Sequence, residues 1–149
     1  NEGGLVLVNI ILDTDQDQEI TTTKAHCLLD LMLNCKTLGE SLQALSYAVD
    51  LKDLLKQNPP KDGKAKIDGA ERFKLYSLAL LTENELKLKN RLAVQDNVGE
   101  ILNQLAAENM CLVLRNDLVL KDLLQKLADE LNRNEEKDLG AQLLQKLKQ

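Results

Sequence analysis

Aromatic residues are nearly missing: the 149-residue chain has one Phe, two Tyr and no Trp. Strands favour aromatic and β-branched side chains, so this poverty argues against a sheet protein. Helix breakers are scarce as well, with two Pro and seven Gly, which leaves long stretches free to run as helix. His26 is the single histidine. One His excludes a paired-His metal site and offers no base that a Ser or Cys nucleophile could share with a partner, so His26 reads as a structural or surface side chain. There is no glycine-rich phosphate loop, because Gly3–Gly4 is followed by neither a Gly-Lys-Ser/Thr nor spaced glycines. No apolar run reaches the roughly 18 residues that a membrane helix needs. An excess of cations is also absent: the formal net charge is −5. That disfavours a broad nucleic-acid footprint and binding to anionic membrane surfaces.

Cysteine is limited to Cys27, Cys35 and Cys111. The odd count, the lack of metal-type spacing and the apolar neighbours predict reduced, buried thiols and a cytoplasmic or nuclear protein. The acidic run Asp13, Asp15, Asp17 matches the first ligand positions of a calcium loop. The match fails at Gln18, where the sharp turn needs Gly, and at Lys24, where a bidentate carboxylate is needed. The expectation is therefore a non-enzyme without cofactor or metal, and no catalytic residue is assigned.

What is present is leucine on helical periods. Hydrophobic residues make up 44% and charged residues 29%, a balance that suits one soluble domain over residues 1–149. The start, without an initiator Met, reads as a piece of a longer chain or a processed product. The clearest element is 116–131, where Leu120, Leu123, Leu124, Leu127 and Leu131 trace one helical face. Asp117 stands where a helix start needs an acceptor for free amides. Lys121, Asp122, Lys126, Asp129 and Glu130 form the charged outer face. The rest of the chain reads as neighbours that cover this stripe.

Before it, Gly3–Gly4 predict a turn into a short apolar helix ending near Leu12, and 13–18 predict a polar break. A helix over 19–34 follows, with Ile20, Cys27, Leu28, Leu31 and Met32 facing inward. Thr37 and Glu40 form a capping-box pattern that predicts a helix from Leu38, with Leu38, Leu42, Leu45, Val49, Leu51, Leu54 and Leu55 as its stripe. Asn58–Pro59–Pro60 ends it, because a residue before Pro avoids helical geometry and Pro lacks an amide. Residues 58–68 read as a flexible loop. The cations there and just beyond (Lys61, Lys64, Lys66, Arg72, Lys74) are interleaved with acids and read as solvated.

A helix restarts at 68–71, with Phe73, Tyr76, Leu80 and Leu81 inward, and Thr82–Glu85 repeats the capping-box pattern. Leu86, Leu88, Leu92 and Ala93 follow. Residues 96–99 predict a further break ahead of Val98, Ile101, Leu102, Leu105 and Ala106. A short apolar element spans 110–114. The last helix is expected over about 135–148, with Leu139, Leu143, Leu144 and Leu147 inward and Glu135, Glu136 and Lys137 exposed.

Similar words recur, VDLKDLLKQ at 49–57 against LVLKDLLQK at 118–126, and LLQKL at 123–127 and 143–147. With the helix count, they fit about three stacked helical repeats of ~40–47 residues. The fold class expected is all-α, a right-handed α-solenoid, with an irregular helical bundle as the alternative.

Residues 1–34, NEGGLVLVNIILDTDQDQEITTTKAHCLLDLMLN, carry a family likeness. Gly3, Gly4, Leu5, Val8, Ile11 and Leu12 fill a Gly-Gly turn and apolar helix; Asp15, Asp17, Glu19 and Ile20 fill an acidic turn; Ala25, Leu28, Leu31 and Asn34 fill a second helix. This pattern resembles an armadillo repeat, and the longer helices that follow resemble HEAT repeats. The resemblance implies a protein-binding scaffold whose partner is another protein. It leaves open an armadillo-like exchange factor of Hsp70 and a self-associating assembly domain. Peptide-binding armadillo grooves pair an Asn ladder with Trp; this chain has no Trp, and its Asn residues keep no common spacing. No partner-binding residue can be assigned from the sequence.

Overall fold

The structure, a computed structural model, describes the backbone of residues 2–60, 66–67, 69–107 and 110–148, and the side chains of 18–60, 66–67, 69–107, 110 and 112–148. Among these residues the only regular structure is helix, with no strand. The helices are α1 (Glu2–Thr37), α2 (Ser41–Gln57), α3 (Ala70–Lys87), α4 (Arg91–Leu105), α5 (Met110–Asn116), α6 (Leu118–Arg133) and α7 (Lys137–Lys148).

Three of the expected breaks are not breaks. Residues 13–18 continue α1 as one 36-residue helix, so the two helices expected over 1–34 are one. Asp, Gln and Thr cost less than about 1 kcal/mol each in a helix interior, and no Pro or Gly lies between Leu5 and Leu38 to force a stop. Thr82–Glu85 lies inside α3, where Thr82 is buried and donates its hydroxyl to the Leu78 carbonyl at 2.6 Å. Residues 96–99 lie inside α4.

The real junctions sit elsewhere and share one geometry. The Glu40 N–H donates to the Cys35 carbonyl at 2.8 Å and the Gly39 N–H to Lys36 at 3.2 Å. Asn90 donates to Glu85 at 3.0 Å and Lys89 to Leu86 at 3.1 Å. Glu136 donates to Leu131 at 2.9 Å. Each six-to-one bond closes a helix through a left-handed residue: Gly39 at φ +80°, Lys89 at φ +58° and Glu135 at φ +66°. This is the Schellman ending, which satisfies last-turn carbonyls and reverses the chain within three residues. The first of these junctions displaces the capping box expected at Thr37: Glu40 precedes α2 and makes no side-chain cap bond. Starting at residues 35, 85 and 131, the junctions recur at roughly 50-residue spacing. They define hairpins α1–α2, α3–α4 and α6–α7.

The hairpins also share a packing register. Nine residues into each, Ala44, Val94 and Gly140 are buried, and seven further on, so are Leu51, Ile101 and Leu147. The ninth position is Ala in the first hairpin and Gly in the third. A Cβ on Gly140 would collide with the Asn132 side-chain oxygen and lie 2.9 Å from the Ala128 carbonyl oxygen.

The α3 helix is the hub, in contact with α1, α2, α4 and α6. It buries Phe73, Leu75, Tyr76, Leu78, Ala79, Leu80 and Leu86. A helix apolar nearly all round is one surrounded by others. The α6 helix buries the stripe its sequence announces, Leu120, Leu123, Leu124, Leu127, Ala128 and Leu131, and packs on α3 and α7. The second and third hairpins lie with α3 against α6 and α4 against α7. The first joins them mainly through α2 on α3.

Several inward assignments on the first hairpin are corrected. On α1 the buried face is Ala25, Leu29, Met32 and Cys35; Ile20, Leu31 and Cys27 are exposed. On α2 it is Ala44, Ala48 and Leu51, while Leu42 and Val49 are exposed, as is Leu38 in the junction before the helix. The buried faces of α1 and α2 are built largely on small side chains, Ala25, Ala44 and Ala48, with Leu31 and Leu42 on the solvent side. Cys35 fits the expectation of a buried thiol, and the Cys111 side chain lies outside the described residues. Within 58–68, α2 ends at Gln57 before the two prolines, as expected, and Ile67 is buried; residues 61–65 and 68 lie outside the described residues.

Candidate interaction surface

All three hairpin tips lie along one edge. Lys36, in the last turn of α1, pairs with Glu83 near the end of α3 at 3.4 Å. Arg91, which opens α4, donates its Nε–H to Glu136 Oε1 at 2.9 Å. A cleft of about 230 Å³ between the first tip and α3 is lined by Lys36, Ser41, Leu45 and Lys87, among others. A second cleft, of about 280 Å³, separates the second and third tips, with Lys89, Arg91, Arg133 and Glu136 on its walls.

Exposed leucines concentrate on this edge. Leu38 is 74% exposed and Leu42 84% at the first tip; Leu88 is 67% and Leu92 76% at the second. Leu38 and Leu88 each directly precede the left-handed residue, and Leu42 and Leu92 are each the second residue of the returning helix. The third tip places Asn134 and Asp138 at these positions. Each leucine left in water forgoes about 1.5–3 kcal/mol of burial. Single exposed leucines are ordinary, but the same pair at the same place in consecutive hairpins is a patterned apolar surface. A further exposed apolar group, Leu112, Leu118 and Val119, lies where α5 meets α6.

Glu136, expected to be exposed, is 8% exposed and held by Arg91. Arg72, expected to be solvated, reaches Asp117 at 3.5 Å and lies over the Phe73 ring, 5.4 Å from its centre. Asp117 performs the capping role its sequence position predicts, accepting from the Leu120 N–H at 3.1 Å. It also accepts the Tyr76 hydroxyl at 2.8 Å. Burial, and then the bond to Asp117 and its negative charge, raise the Tyr76 pKa well above its ordinary value, with Arg72 opposing. This group ties α6 to α3 and is architectural. His26 packs edge-on against Phe73, ring centres 4.9 Å apart.

Among the described residues no group of three or more His, Cys, Asp or Glu side chains is placed to hold a metal ion, and no helix is long and apolar enough to cross a membrane. No family model matches the chain, no curated protein matches it, and no solved structure matches its fold.

Proposed function

We propose that this chain is a protein-interaction module: a short stack of helical hairpins, of the armadillo/HEAT-like solenoid kind, that presents its tip edge to another protein. The observation that carries the reading is the repeated leucine pair, Leu38/Leu42 and Leu88/Leu92, exposed at equivalent positions of two consecutive tips. Packing of α3 on α6 and α4 on α7 in chain order supports the stacked arrangement. A partner that covers these leucines gains apolar burial without disturbing the core.

Affinity capture tests the reading, with the wild-type chain and two double variants, Leu38→Ser/Leu42→Ser and Leu88→Ser/Leu92→Ser, as baits. These side chains are exposed, so both variants should melt with the wild type. A partner retained by wild type and lost from at least one variant is expected. Retention by both variants would remove the tip edge as the binding surface. Sedimentation at several concentrations separates the case in which a second copy of this chain covers the leucines; a wild-type dimer that dissociates in the leucine variants would replace the external partner.

A further inference from the structure

Charge sets the second tip apart from the other two. The protein carries a net −5, yet residues 86–95, LKLKNRLAVQ, hold Lys87, Lys89 and Arg91 and no acid. Lys87, Leu88, Lys89, Asn90, Arg91 and Leu92 are all exposed. Arg91 is engaged by Glu136; Lys87 and Lys89 form no ion pair among the described residues. At the first tip Lys36 is answered by Glu83, with Glu40 alongside. At the third, Arg133 pairs with Glu130 at 2.9 Å and the neighbours alternate in sign, Glu135, Glu136, Lys137, Asp138. The second tip is thus where exposed leucines coincide with lysines that make no ion pair among the described residues.

Backbone geometry adds an independent observation. The left-handed position that Gly39 fills freely at the first tip is held at the second by Lys89, at φ +58°. A side chain there costs stability that glycine would avoid. Residues held in this region cluster at binding and switch sites. Glu135 bears the same strain on the opposite wall of the cleft, so both tips flanking it present a charge from this position.

We propose that the second tip, Lys87 to Leu92, docks an acidic amphipathic segment of another protein, its apolar side chains seated on Leu88 and Leu92 and its carboxylates on Lys87 and Lys89, with Arg91 at the rim. The proposal rests on the interaction-module reading and names the partner's chemistry. Leucines beside cations favour such a segment over nucleic acid, whose phosphates would use the lysines and leave the leucines wet.

Fluorescence anisotropy with a labelled short peptide of alternating Leu and Glu clusters tests this. The controls are the same peptide with Glu replaced by Gln, the same with Leu replaced by Ser, and a single-stranded oligonucleotide. The acidic peptide should bind saturably and more weakly as salt rises. Lys87→Glu/Lys89→Glu should weaken it about tenfold or more, and Leu88→Ser/Leu92→Ser should abolish binding. Lys89→Gly should raise the melting temperature while weakening the peptide, an outcome that a purely structural Lys89 would not give. Equal binding of the Gln peptide, indifference to the charge reversal, or preference for the oligonucleotide would each overturn the proposal. Should charge reversal leave a captured partner bound while the leucine variants release it, the interaction module stands and its acidic ligand falls. If neither the charge reversal nor either leucine double variant releases the partner, both fall.

Discussion

Tyr76 donates its hydroxyl to Asp117 at 2.8 Å across 41 residues of sequence, and the same carboxylate caps the first turn of α6. One side chain therefore starts a helix and docks it on the hub. Asp117→Ala removes the cap and leaves the Tyr76 hydroxyl without its acceptor. The expected loss is about 2–3 kcal/mol, measured by urea denaturation. A loss below that of an ordinary cap would show that the Tyr76 bond contributes nothing.

The same pair predicts a pH dependence. Tyr76 has its pKa raised in the folded state from an ordinary 10.0. Above that ordinary value the unfolded chain gives up the proton while the folded chain keeps it. The folded state then binds more protons, so this contribution is full below pH 10 and is lost as pH rises further. Tyr76→Phe should be less stable than wild type at neutral pH, and the gap should narrow in strongly alkaline solution. A gap that widens there would reverse the assignment.

Two glycines inside helices should respond in opposite directions to alanine. At Gly99 an added Cβ meets nothing within 4 Å, so Gly99→Ala should stabilise by about 0.5–1 kcal/mol through helix propensity. At Gly140 the same methyl lies 2.9 Å from the Ala128 carbonyl oxygen. Backbone cannot swing aside as a side chain can, so Gly140→Ala should destabilise by about 1–3 kcal/mol. Parallel thermal melts of the two variants decide this.

Leu124 is fully buried on the α6 stripe. Leu124→Asp would bury an unpaired carboxylate and should cost about 4 kcal/mol. Lys126→Ala, which removes an exposed pair with Asp122 at 3.0 Å, should change stability by no more than about 0.5 kcal/mol. Unchanged melting of the Leu124 variant would take α6 out of the core.

Legibility followed the strength of the amphipathic contrast. In α6 every buried leucine was readable, because charges alternate with them at helical spacing and Asp117 marks the start. In α3 the sequence marks Phe73, Tyr76, Leu80 and Leu81 as one inward face, whereas every residue from Leu75 to Leu80 is buried; with no charge in that run, nothing separates a second buried face from the first, and the hub reads as an ordinary helix. In α1 and α2, Ala25, Ala44 and Ala48 carry the contact. Alanine is a weak hydrophobic signal but permits close approach, and Leu31, Leu38 and Leu42 face solvent while Leu51 is buried. Ser and Thr near an acid suggested caps at Thr37 and Thr82, yet the chain reverses at left-handed residues, two of which, Lys89 and Glu135, have side chains that give no warning. The leucine tips are legible only in part: Leu38 and Leu42 read as an inward stripe and face solvent instead, while Leu88 and Leu92 are visible in the sequence without a face assigned to them.

The three junctions also set the order in which the molecule assembles. Each reverses the chain within three residues, so closing a hairpin costs little loop entropy and can precede everything else. The links between hairpins, Lys36–Glu83, Tyr76–Asp117 and Arg91–Glu136, join residues far apart in sequence and are expected to form after the hairpins. Breaking them should therefore leave the folding rate nearly untouched and speed unfolding, a split that stopped-flow chevrons on Arg91→Ala would reveal. The tip edge is then a seam that completes itself only when the last hairpin arrives.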